Sequence, residues 1–182
     1  MIILGVDPGT NYTGFGIIKQ KSNNYIRVIN GIIKLPTNKS LPLKLEIIYD
    51  ELVKIIDTYK PDEFAIETAF YGKNVKSAMK IGYARGAALL AAVHKKVPTS
   101  EYSPREIKKS VVGRGSASKE QVYYMIKTLL ELKEEKIRYD ESDALAVAIC
   151  HAFRITRSNG SVKRNKDWKS FVETYPERVV KN

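Results

Sequence analysis

Apolar residues open the chain almost without a break: Ile2, Ile3, Leu4 and Val6 run together and stop at Asp7-Pro8-Gly9-Thr10. A short, partly β-branched run closed by a turn predicts a central strand covered on both faces. "GFGIIKQ" (Gly14–Gln20) and "YIRVINGIIKL" (Tyr25–Leu35) predict two more strands, joined by the polar loop "KSNN", so the first third of the chain is expected to form an antiparallel meander. The period then changes. Leu45, Ile48, Leu52, Ile55 and Tyr59 recur at three- and four-residue steps, which predicts an amphipathic helix stopped by Pro61. "EFAIE" (Glu63–Glu67) is a short buried strand that again ends on a carboxylate, and an alanine-rich helix is expected from Val75 to Lys95. That helix carries Gly82 and Gly86 one turn apart. Each costs about 1 kcal/mol against alanine, so another backbone is expected close by, either the sheet or a second subunit.

"VPTSEYS" (Val97–Ser103) predicts a fifth strand, and Pro104 opens a short helix that ends before Gly113. Ser118 with Gln121 is a capping-box pattern that starts a helix through about Leu132. A charged loop then leads to a last helix, apolar nearly all round, from Asp143 to about Ile155. These elements describe an α/β domain over residues 1–155, a five-stranded mixed sheet flanked by helices. Residues 156–182 form a basic C-terminal extension in which Trp168, Phe171, Val172 and Tyr175 keep helical spacing. The extension is expected either to contact DNA or to close over the core.

Charge changes the picture more than length does. Lys and Arg total 31 against 20 Asp and Glu, a formal +11 that favours polyanionic partners through counterion release. The single cysteine, Cys150, excludes an internal disulfide and sits in an apolar run as a small core residue would. The sequence shows neither a signal-peptide pattern nor an apolar run of about 20 residues, so a cytoplasmic protein without membrane association is expected.

Against this basic background four acids stand out. Asp7 and Glu67 end strands, and Asp140 and Asp143 lie one helical turn apart ahead of the last helix. Each has an ordinary reading: Asp7 as a turn cap, Glu67 as a surface acid, the Asp140/Asp143 pair as a helix cap. If the first and fourth strands are neighbours, however, all four converge on the crevice at the strand ends, where α/β sheets bind ligands. Two carboxylates about 4 Å apart repel by about 4 kcal/mol at an effective dielectric near 20, so such a cluster keeps protons or takes up cations. Oxygen-only ligands suit Mg²⁺ or Mn²⁺ completed by substrate phosphates. An acidic pocket in a basic protein therefore points to phosphodiester hydrolysis, with two ions about 4 Å apart flanking the reacting phosphate.

Four ordered blocks, "GVDPGTNYTGFGII", "AIETAFYGKNVKSAMKIGYARGAALLAAV", "EYSPREIKKSVVGRGSASKEQV" and "DESDALAVAICHA", closely resemble the RuvC crossover-junction endodeoxyribonucleases. The resemblance spans most of residues 1–153. It implies an RNase H-like fold, a homodimer and Mg²⁺-dependent hydrolysis, with Mn²⁺ as a substitute. Four-way (Holliday) junction DNA is the substrate it implies, cut by paired symmetric nicks during recombination and repair. Position by position it assigns catalytic and metal-binding roles to Asp7, Glu67, Asp140 and Asp143. It also gives Phe70 the role of stacking on a base near the junction centre, and Lys108 and Lys119 contacts near the scissile phosphate. A branch-migration motor of the RuvA and RuvB type is a further partner it suggests. Two other readings compete. One is another RNase H-like nuclease acting on branched DNA or RNA–DNA hybrids. The other is an actin-like phosphotransferase, since Asp7-Pro8-Gly9-Thr10 resembles a phosphate loop; that fold needs a second, similar half for which 182 residues have no room.

Overall fold

A computed structural model describes residues 1–21, 24–68, 75–132 and 135–159. Three antiparallel strands come first, β1 (Ile2–Asp7), β2 (Tyr12–Lys21) and β3 (Asn24–Lys34), followed by helix α1 (Leu41–Tyr59). Then β4 (Glu63–Glu67), α2 (Val75–His94) and β5 (Thr99–Tyr102) alternate, and α3 (Pro104–Val112), α4 (Lys119–Leu129) and α5 (Tyr139–Asn159) complete the chain. The strands form one sheet in the order β3-β2-β1-β4-β5, with β1 antiparallel to β2 and parallel to β4. The expected five-stranded mixed sheet flanked by helices is therefore the observed one.

Strand alternation sorts the core into two layers. Leu4, Val6, Ile17, Phe64 and Ile66 point to one side, where they pack with Ile48, Leu52 and Ile56 of α1 and the alanines of α2. Ile3, Ile18, Ala65 and Tyr102 point to the other side, against α3, α4 and the wholly buried run Ala144–Ile149 of α5. The central helix α5 lies in a trench of strand glycines. A Cβ added at Gly5 would collide with the Ala144 carbonyl oxygen, one at Gly14 with the Asp140 carbonyl oxygen, and one at Gly16 with the Leu145 side chain. Close backbone approach is a recognised reason for glycine inside a strand.

The close approach expected at Gly82 and Gly86 is not made within this chain: nothing among the described residues lies within 4 Å of a Cβ added at either. The sheet is thus excluded as their neighbour. Other differences sit at element ends and have local causes. Lys96 adopts a left-handed φ of 58°, and the Val97 N–H donates to the Ala92 carbonyl, 3.0 Å away. This C-terminal cap of α2 uses Val97, the residue expected to begin β5. Glu131 does the same for α4 at φ 57°, with the Leu132 N–H on the Lys127 carbonyl, so that helix stops before Leu132. Helix α5 starts four residues earlier than expected, because Glu141 reaches back to accept the Arg138 N–H at 2.6 Å. It also runs on to Asn159, past the expected end near Ile155. The aromatic positions of the basic extension lie outside the described residues.

Candidate active site

Asp7 and Glu67 reach the same spot because of strand register. Val6 pairs with Ile66 across the parallel β1–β4 ladder, so the next residues, Asp7 and Glu67, end their strands side by side. Residues two apart share a face. Asp7 follows Ile3 and Gly5 on the α5 side, and Glu67 follows Ala65. The opening turn of α5 supplies Asp140 and Asp143, held over β2 by the contact at Gly14. Capping of that helix falls to Glu141. The capping alternative for the two aspartates is thereby excluded, since neither accepts a backbone N–H among the described residues.

A hollow of about 550 Å³ opens at this end of the sheet, lined by Asp7, Glu67 and Asp143 with Arg105, Lys108 and Lys119. Acids from the sheet and α5 thus face cations from α3 and α4. Ser103 and Ser118 cap these two helices, each in a complete capping box with Glu106 or Gln121, so the Ser118–Gln121 expectation is observed. Lys119 Nζ donates to Asp143 Oδ2 at 2.9 Å, and Asp143 is only 17% exposed.

Burial and crowding set the protonation of the two strand-end acids. Removal from water pushes the Asp7 carboxyl up to about 7, aided by the negative charges of Asp143 and Asp140 and opposed by Lys119. Glu67 is pushed up to about 8, first by burial and then by Asp7 and Asp143, against Lys119 and Lys108. Hydrogen bonding to Asp143 holds the Lys119 ammonium above its ordinary range. Near neutral pH the metal-free site therefore keeps protons on its deepest carboxyls, as expected of carboxylates that cannot all ionise together.

The donor set is all oxygen, which fits a hard divalent cation. Among the described residues no three acidic, histidine or cysteine side chains are already drawn into a metal cage. Lys119 holds one oxygen of the Asp143 carboxylate, and the raised Asp7 and Glu67 carboxyls retain protons, so a cation held by these groups would compete with the ammonium and with those protons.

Of the positions singled out in the sequence, Asp7, Glu67, Asp143, Lys108 and Lys119 line one hollow. Asp140 stands beside it, close enough to act on Asp7. Phe70 lies outside the described residues. Sequence reasoning missed Arg105, which sits one turn before Lys108 on α3; the same three-residue spacing used for Asp140 and Asp143 would have found it.

Residues 3–151 match the family described as "Crossover junction endodeoxyribonuclease RuvC". The RuvC of Salinibacter ruber is 43% identical over 179 residues, covering 98% of this chain and 99% of that protein. The RuvC of Chloroherpeton thalassium is 44% identical over 187 residues, covering both chains in full. Among solved structures, the Thermus thermophilus RuvC in complex with Holliday junction substrate superposes with a TM-score of 0.82 at 30% identity, covering 87% of this chain and 96% of that one.

Proposed function

The chain belongs to the RuvC family of crossover junction endodeoxyribonucleases, a hydrolase on the RNase H-like fold that resolves Holliday junctions with a divalent metal, and we propose that it does so through Asp7, Glu67, Asp140 and Asp143 holding two Mg²⁺ ions. The observation that carries this reading is the meeting of three of these carboxylates with Lys108 and Lys119 around one hollow, with the fourth beside it. When bound, the ions supply Lewis acidity at the scissile phosphate and lower the barrier to its in-line hydrolysis.

The chain's own residues do the rest. Asp7 and Glu67 are fixed by the β1–β4 ladder, so their geometry costs no rearrangement, and their raised pKa values make them ready to exchange protons for cations. Lys119, freed from Asp143, joins Lys108 in gripping the phosphate that enters the hollow. In this reading Phe70, three residues beyond Glu67, stacks on a base near the junction centre.

A second copy of the chain is part of the proposal, because paired cuts on a two-fold junction need two matched sites. The solvent side of α2 supports it. Val75, Met79, Leu90 and Val93 are all more than half exposed and follow one stripe with Gly82 and Gly86, while Ala84, Ala88, Ala91 and Ala92 face the core. Two glycines open to solvent would let the partner's backbone come close. Membership of the family supports two further parts of the proposal, partnership with a branch-migration motor of the RuvA and RuvB type and work in the cytoplasm.

Incubating the protein with a synthetic four-way junction, with Mg²⁺ or with EDTA, tests the reading. Symmetric paired nicks that need the metal are expected, with Mn²⁺ able to replace it. Equal cutting of plain duplex or of an RNA–DNA hybrid would refute junction selectivity.

A further inference from the structure

Arg138 immediately precedes α5, and both of its backbone groups are engaged. Its N–H donates to Glu141 Oε2 at 2.6 Å, and its carbonyl accepts from the Ser142 N–H at 3.0 Å. The side chain is therefore free of capping duty. It lies over Tyr12, with the guanidinium carbon 4.5 Å from the ring centre, and its Nε stands 3.7 Å from Asp140 Oδ2. That distance is too long for a hydrogen bond. Among the described residues nothing is hydrogen-bonded to its terminal nitrogens, and 53% of the side chain is exposed.

Sheet order places this pair on the β2 side of Asp7, whereas Glu67 stands on the β4 side. Tyr12 pairs with Lys34 across the β2–β3 ladder, and both line an adjoining hollow of about 350 Å³. A stacked guanidinium keeps its in-plane N–H donors available, in a geometry that matches phosphate oxygens. An arginine whose only purpose was to neutralise Asp140 would be expected to make the two-pronged contact that guanidinium and carboxylate allow; this one is displaced onto the ring.

We infer that Arg138, held by Tyr12, grips a backbone phosphate of the DNA strand on the β2 side of the carboxylates, across Asp7 from Glu67. The inference rests on the junction-cutting reading above. It adds a cation from the segment between α4 and α5, outside the hollow that Lys108 and Lys119 line. Tyr12 acts as a positioning residue, keeping the guanidinium beside the site and not over open solvent.

The test compares the full-length wild type with Arg138→Gln, Tyr12→Phe and Tyr12→Leu. Binding to a four-way junction is measured over a salt series in EDTA, so that no cutting competes, followed by cleavage kinetics in Mg²⁺. Loss of one charged hydrogen-bonding group predicts about tenfold weaker binding for Arg138→Gln. Loss of one neutralised phosphate predicts a salt slope shallower by about 0.9. In cleavage, KM rises more than kcat falls. Tyr12→Leu reproduces part of the loss and Tyr12→Phe, which keeps the ring face, does not. Unchanged affinity and slope in Arg138→Gln overturn the inference. So does a fall in kcat alone, which would mean that Arg138 acts only through Asp140. The cap at α5 uses Arg138's backbone, so the variant should melt with the wild type; a lower melting point accompanied by an unchanged salt slope also refutes the inference. A wild type that neither binds nor cuts the junction refutes the parent reading instead, which separates the two failures.

Discussion

Replacing Asp7 with asparagine should stabilise the metal-free protein at alkaline pH, although it removes a residue proposed to be catalytic. Folding raises the Asp7 carboxyl from its ordinary 3.8 to about 7. Between those values the folded state binds more protons than the unfolded state, so stability is highest below pH 4 as far as this group is concerned. It falls as pH rises and is fully lost above pH 7. At about 1.4 kcal/mol per pH unit, ionising Asp7 within the fold costs about 4 kcal/mol by pH 8. Asparagine has nearly the same shape and never ionises. It also removes the negative charge that helps raise Glu67, whose carboxyl otherwise remains protonated up to about pH 8. Local relaxation and water entry reduce such costs, so a gain of about 2–4 kcal/mol at pH 8 is expected, about 5–15 °C in Tm for a domain of this size. At pH 4 the two proteins should melt together. Thermal melts in EDTA at half-unit pH steps read this directly. Adding Mg²⁺ should raise the wild-type Tm and leave Asp7→Asn nearly unmoved, closing the gap. A variant less stable than wild type at pH 8 in EDTA, or a difference that does not vary with pH, would refute the electrostatic account.

Two other outcomes follow from the packing. Gly14→Ala would drive its Cβ into the Asp140 carbonyl oxygen; overpacking of this kind costs about 1–3 kcal/mol, and junction cutting should fall further than stability because the start of α5 carries two of the four acids. Normal turnover in a well-folded Gly14→Ala would show that the α5 trench does not set the site. Met79→Glu places a charge in the exposed apolar stripe of α2 and should convert the proposed dimer to a monomer by sedimentation; an unaltered dimer would move the interface to another face.

Much of the fold was legible in the sequence for a definite reason. Strand and helix signals are local, and here the β-branched runs, the proline stops and the Ser118–Gln121 box agree with the tertiary packing. Boundaries failed where a main-chain cap overrode side-chain character. Val97 looks like strand by composition, but its N–H is committed to the end of α2. The glycines divide by what they meet. Gly82 and Gly86, inside a helix, meet nothing within the described chain, whereas Gly5, Gly14 and Gly16 are the ones a helix lies against. Alternation of Gly14 and Gly16 along a strand was the available signal.

The amino-acid order alone decided which chemistry was on offer: four carboxylates at element ends in a chain of +11, where crowded negative charge calls for cations and the surrounding positive charge calls for a polyanion. It could not decide that Val6 pairs with Ile66, since parallel register depends on how β1, β4 and the helices between them pack. It could not show that Glu141 caps α5 in place of the aspartates, or that Arg138 rests on Tyr12, 126 residues away in the same chain. Those contacts join segments distant in sequence. Only the folded chain sets their spacing, and with it the burial that holds protons on Asp7 and Glu67.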